Sequence, residues 1–110
     1  MSEQAYLQRL AKLQQAVWPQ GHAREPQYPL GQRPLTHYLK HWAQSTPDKP
    51  AVRFYGHDLS YAELDELSDR FASLLLDNGV QPGDRVAVYL PNCPQLHIVF
   101  YGILKAGAVH

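Results

Sequence analysis

Apolar residues recur at helical spacing in three stretches of the chain, and a fourth stretch is apolar on nearly every side. The first stripe follows an i, i+4, i+7, i+11 pattern and consists of Tyr6, Leu10, Leu13 and Val17. This pattern predicts an amphipathic helix. A stripe this short, with few basic residues beside it, is more typical of a helix docked on its own protein than of a membrane-binding helix.

From Trp18 to Pro34 prolines and glycines are too dense for a helix or a central strand, which predicts an extended connector.

The middle of the chain predicts a helix followed by a β-hairpin. Helical spacing returns over Leu35–Ser45, and Thr46-Pro47-Asp48 should end that helix, because the residue before a proline avoids helical torsions. Residues 51–55 are predicted to form a strand, residues 56–58 a turn, and Leu59-Ser60 a short returning strand.

The next helix has the clearest start signal in the sequence. Ser60-Tyr61-Ala62-Glu63 is a capping box, in which the serine and glutamate side chains each bond the other residue's backbone amide. A helix is therefore expected over about Tyr61–Asn78. Gly79 follows, where a left-handed residue is favoured. Its apolar stripe is expected to be buried and consists of Leu64, Leu67, Phe71, Leu74 and Leu75.

The last third of the chain predicts a βαβ unit. Arg85–Leu90 is expected to be a strand covered on both faces, since its apolar residues do not alternate regularly with polar ones. Asn92 or Cys93 should cap a buried helix over about Pro94–Ala106, and residues 108–110 should begin a second strand parallel to the first. The predicted fold class is therefore α/β: a helix and proline-rich connector, then a hairpin, then the βαβ unit. Because domains rarely end inside a core strand, we expect the chain to be the first part of a larger domain.

Composition excludes several kinds of function. The 110 residues carry ten basic and ten acidic side chains, so the formal net charge is zero and no nucleic-acid partner is expected. A single cysteine rules out an internal disulfide and is consistent with a reducing compartment. No segment predicts a secretory signal or a transmembrane span, so a cytoplasmic location is expected, with peripheral membrane association left open.

Some residues suggest chemistry locally, but each has a simpler interpretation. Cys93 at a helix N-terminus could favour a thiolate, yet no neighbouring base is indicated, so a capping or packing role is preferred. His37 and His41 have the i, i+4 spacing of a zinc pair without a third ligand, which favours a solvated face.

His97 on the apolar helix is expected to be a core or interface histidine. Gly83 precedes a strand rather than a helix and is predicted to lie in a turn, and His22 and His57 are expected at the surface.

Three segments, taken together and in this order, resemble the adenylate-forming enzymes: acyl-CoA synthetases, peptide-synthetase adenylation domains and luciferases. Leu59–Leu64 is similar to the family's first core motif, Gly79–Leu90 to the turn and strand that follow it, and Leu104–Val109 to its second core motif. Within the family, Leu90-Pro91-Asn92-Cys93-Pro94 resembles acyl-CoA and aryl-CoA ligases. The leader with Trp18-Pro19 is similar to bacterial medium- and long-chain fatty acid ligases.

The resemblance implies a two-step reaction for the full-length parent. A carboxylate attacks the α-phosphate of ATP to give an acyl-adenylate and pyrophosphate, magnesium offsets phosphate charge, and the CoA thiol then displaces AMP. The family's phosphate loop, ribose-binding acid and mobile C-terminal domain would all lie downstream. No catalytic, cofactor-binding or metal-binding residue is therefore assigned to this chain, which is expected to be inactive alone and to pack on the rest of the enzyme or self-associate.

The resemblance divides the chain into a helix and connector at residues 1–33 and the first part of the AMP-binding domain at residues 34–110. Two alternatives stay open. The parent could be an adenylation domain or an aryl-CoA ligase of the same superfamily. The chain could also be a stand-alone, non-catalytic interaction module. Acyl chain length stays undetermined, since the family's acyl pocket is built by downstream residues.

Overall fold

Helix α1 (Glu3–Val17) forms where the apolar stripe predicts it. The computed structural model describes residues 1–110, which divide into two compact units, Met1–Gly31 and Gln32–His110. Ser2 caps α1, its side chain accepting a hydrogen bond from the Ala5 amide at 3.3 Å. No residue of α1 is buried, and the docking expected of this helix stays a prediction.

The rest of the first unit contains no helix or strand, as its prolines and glycines predict. The indole nitrogen of Trp18 donates to the His22 carbonyl at 3.1 Å and closes a turn directly after α1. A second turn forms where the Gly31 amide donates to the Tyr28 carbonyl at 2.9 Å. The connector is thus a series of local turns.

In the second unit, strands β1 (Pro50–Phe54) and β2 (His57–Ser60) pair antiparallel as a hairpin. The predicted position of the turn, residues 56–58, is wrong, because the loop consists of Tyr55 and Gly56 alone. Both have positive φ, at 47° and 82°. Positive φ at both central residues is what a type I′ turn requires, and that turn matches the twist of the flanking strands. His57 and Asp58 are therefore free to pair in β2.

Three helices complete the second unit: α2 (Leu35–Ser45), α3 (Tyr61–Asp77) and α4 (Pro94–Lys105). The predicted capping box of α3 is present. The Glu63 amide donates to Ser60 Oγ at 3.2 Å, and the Ser60 amide donates to Glu63 Oε2 at 2.8 Å. The capping role expected of Cys93 is not observed: it occupies the N-cap of α4, but its side chain makes no cap hydrogen bond.

Helices α3 and α4 end in the same way. After α3 the Val80 amide donates to the Leu75 carbonyl, and after α4 the Ala108 amide donates to the Ile103 carbonyl. These bonds are those of the Schellman motif, which needs a left-handed residue just past the helix. Gly79 and Gly107 supply it, with φ of 87° and 75°. The sequence therefore marks both helix ends correctly.

The core lies where α3 packs along α4, with α2 against both. The side chains that are buried are Leu39, Leu64, Ser68, Ala72, Ile103, Ala106 and Ala108. Gly102 brings the two helices close together. A Cβ at that position would lie 2.7 Å from Phe71 Cδ1 and 3.0 Å from the Ser68 carbonyl oxygen. Of the predicted α3 stripe, Leu64 is buried, but Leu74 is 54% exposed.

The predicted parallel pairing is confirmed at one point. Arg85 and Val109 form a parallel bridge, with the Val86 amide donating to the Val109 carbonyl at 2.8 Å and the Val109 amide to the Asp84 carbonyl at 2.7 Å. The longer strand expected over residues 85–90 is not formed, because nothing pairs with residues 87–90, and Tyr89 is fully exposed.

Helix α4 is also less buried than its apolar sequence predicts. Only Gly102 and Ile103 are fully buried, because α3 covers one side of the helix, and the remaining apolar side chains are half-buried. His97, expected in a core or interface, points away from that side and is exposed.

Candidate functional site

The densest polar cluster in the chain surrounds Lys105, the last residue of α4. Its ammonium group contacts Asp65 Oδ1 at 2.6 Å, Asp69 Oδ1 at 2.7 Å and the Asp65 carbonyl oxygen at 2.9 Å. The Lys105 side chain is 13% exposed and that of Asp65 is 21% exposed, whereas Asp69 is largely open to solvent. The cluster is a partly buried ion-pair network that joins the end of α4 to the first half of α3.

Local sequence explains why these three residues meet. Asp65 and Asp69 stand four positions apart on α3, so both carboxylates lie on one face of that helix. Lys105 is in the last turn of α4, where the negative end of the helix dipole favours a cation. The close approach at Gly102 brings these two helix faces within hydrogen-bonding distance.

A groove of about 470 Å³ opens beside this network. It lies between the start of α2, the middle of α3 and the end of α4, and its lining residues are Thr36, His37, Lys40, Asp65, Asp69, Leu104 and Lys105. The groove is therefore lined by charges of both signs, and Lys105 is already bonded to Asp65 and Asp69.

The chemistry open to this groove is limited by those bonds. A lysine ammonium has three donors, and three acceptors surround Lys105, so it is not free to act as a nucleophile or base. The carboxylates of Asp65 and Asp69 compensate the charge of Lys105, so this lysine has no free donor for a nucleotide phosphate. No group of three or more histidine, cysteine, aspartate or glutamate side chains could hold a metal ion. The network ties helices together.

Two side chains outside the groove have displaced pKa values. Hydrogen bonding to Ser60, first to its backbone amide and then to its side chain, lowers the pKa of Glu63. Burial, and then the nearby Tyr61, raises the pKa of the Tyr101 phenol. A helix cap and apolar packing account for both displacements.

The residues singled out in the sequence do not come together in one place. His37 is exposed and lines the groove. His41 lies one turn further along α2, its ring packed edge-on against Trp42 at 4.8 Å between centroids. Cys93 is half-buried at the start of α4. Gly83 lies in a turn, as predicted, and its amide donates to the Gly107 carbonyl at 2.8 Å.

The Lys105 network itself was missed by sequence reasoning. Two signals could have found it: a lysine in an otherwise apolar helix, and two aspartates at i, i+4 spacing in an amphipathic one. The contact joins residues 36 and 40 positions apart, so only the packing of α3 on α4 shows that these signals belong together.

Comparison with solved structures identifies the class of fold. The N-terminal subdomain of NpsA from Klebsiella oxytoca, solved in complex with 3-hydroxyanthranilyl-AMSN, superposes with a TM-score of 0.66 and 31% identity. The match covers 68% of this chain and 19% of that one. The fold is thus that of the N-terminal part of an adenylate-forming enzyme. The model of the AMP-binding enzyme family matches residues 39–110, and the chain belongs to that family.

Curated relatives include two kinds of enzyme. The long-chain-fatty-acid–CoA ligase of Bacillus subtilis is 44% identical over 81 residues, which is 74% of this chain and 14% of the relative. Triostin synthetase I of Streptomyces triostinicus is 40% identical over 77 residues, 70% of this chain and 15% of the relative. The chain therefore spans about a seventh of the length of these relatives. None of its helices combines the length and apolar character needed to cross a bilayer.

Proposed function

We propose that this chain is the N-terminal part of a fatty acid–CoA ligase that activates its substrate as an acyl-adenylate. The parent enzyme joins the carboxylate to the α-phosphate of ATP, releasing pyrophosphate. The CoA thiol then attacks the acyl carbonyl, forming a thioester and releasing AMP. ATP, CoA and magnesium are thus cosubstrates and cofactor of the parent enzyme, and a fatty acid is its substrate.

The observation that carries this proposal is the 44% identity to the Bacillus subtilis fatty acid ligase, which extends over three-quarters of the chain. The segment Leu90–Pro94, which leads from the parallel bridge into α4, also resembles acyl-CoA and aryl-CoA ligases rather than peptide-synthetase domains. Both similarities favour a thioester-forming ligase within the adenylate-forming family.

Within that enzyme, we assign these 110 residues a structural role and no catalytic residue. The two segments that resemble core motifs, Leu59–Leu64 and Leu104–Val109, lie at the start of α3 and the end of α4. The bonds from Lys105 to Asp65 and Asp69 tie these two helices together. The half-exposed side of α4 and the unpaired residues 87–90 are where the rest of the enzyme would pack.

A second candidate is an adenylation domain or aryl acid ligase of the same family. Triostin synthetase I is nearly as similar to this chain as the fatty acid ligase is, and the NpsA subdomain shares its fold. Such an enzyme would form an aminoacyl- or aryl-adenylate with release of pyrophosphate and need not transfer the acyl group to CoA.

The test is an enzyme assay of the full polypeptide encoded by the open reading frame that includes these 110 residues. Pyrophosphate exchange into ATP is measured with octanoate, palmitate, a panel of amino acids and salicylate. CoA-dependent release of AMP and thioester formation are measured next. The proposal expects exchange that depends on fatty acid and a thioester product.

Each other outcome identifies a different function. Exchange that depends on an amino acid or on salicylate rather than on a fatty acid, with or without a CoA thioester, would replace the proposal with the second candidate. A reading frame that stops directly after His110, with no exchange for any acid, would favour a non-catalytic interaction module.

A further inference from the structure

We draw no further inference here: the strongest candidate, the Tyr55 side chain at the tip of the β1–β2 hairpin, which is 91% exposed on a residue of positive φ, carries none because nothing in the structure shows what covers it.

Discussion

Lys105 shows how one charged side chain is accommodated in an apolar helix. Its stem packs within the α3–α4 contact while its ammonium reaches two carboxylates and a carbonyl oxygen at the rim. A charge this far from solvent is stable only when its donors are satisfied. The residue therefore contributes to stability through partners that an apolar substitute would leave unpaired.

Replacing Lys105 with methionine tests that role. Lys105→Met keeps the apolar stem but leaves Asp65, at 21% exposure, without its cation. We expect the free energy of unfolding to fall by about 1–3 kcal/mol, between the values for exposed and fully buried ion pairs. Urea unfolding followed by circular dichroism measures it. Lys40→Met, on the exposed rim of the same groove, is the control, and equal stability of the two variants would refute the structural role.

Glu63 makes the α3 cap dependent on pH. Its pKa is lowered in the folded chain by hydrogen bonding to Ser60. The stabilisation is therefore fully present above the ordinary glutamate pKa of about 4.3, and is lost as the pH falls through the lower folded value. Glu63→Gln should be less stable than wild type at neutral pH, and the difference should shrink in acid.

Urea titrations of both proteins at neutral pH and in acid provide the measurement. Glu25→Gln, in the connector, serves as the control for a general loss of negative charge. A gap between wild type and Glu63→Gln that is the same at both pH values would contradict the assignment.

At the scale of elements, the contact between α3 and α4 depends on a residue without a side chain. Phe71 and the Ser68 carbonyl occupy the space that a Cβ at position 102 would need. Such a glycine lets two helices approach closely, at the cost of lower helix propensity. Close approach is also what brings Lys105 to the carboxylates of α3.

Gly102→Ala should therefore destabilise the chain although alanine is the better helix former. We expect the free energy of unfolding to fall by about 1–3 kcal/mol, because the cost of overpacking exceeds the gain of about 1 kcal/mol from higher helix propensity. Thermal and urea unfolding measure the change. His97→Ala, on the exposed side of the same helix, should shift stability by no more than about 0.5 kcal/mol. Greater stability of Gly102→Ala would show that the helices have room to separate.

The elements that the sequence predicts best are those with local causes. The capping box at Ser60 and the glycines after α3 and α4 act within a few residues, so α3 and α4 are located almost to the residue. The hairpin turn was misplaced because Tyr55 has positive φ, a conformation that its side chain disfavours and its sequence does not signal. The Lys105 network depends on packing between distant residues, so it was found only in the structure.

At the scale of the whole molecule, the buried core is small and lies inside one helix–helix contact. Most apolar side chains of α4 and of residues 86–90 are partly or fully exposed. The burial of residues 86–90 and of His97 was overestimated from the sequence. The prediction assumed the neighbouring strands and helices that cover these positions in a full α/β domain.

The isolated 110-residue chain should not catalyse adenylation. Lys105, Asp65 and Asp69 are bonded to one another, and the phosphate loop that the family resemblance implies is not among these residues. Pyrophosphate exchange with the purified chain, using octanoate and palmitate, is expected to equal the buffer control. Fatty-acid-dependent pyrophosphate exchange above the buffer control would show that a catalytic group lies among these residues.

The segment Val86–Leu90 has a consequence for how the family's longer members are made. Translation adds about 5–20 residues per second, so several hundred downstream residues take on the order of tens of seconds to appear. During that time Val-Ala-Val-Tyr-Leu is an uncharged, β-prone sequence of the kind that seeds cross-β aggregation. Asp84-Arg85 before it and Pro91 after it are gatekeeper residues. We expect charge and proline at its two ends to slow aggregation of the nascent chain while this segment is unpaired.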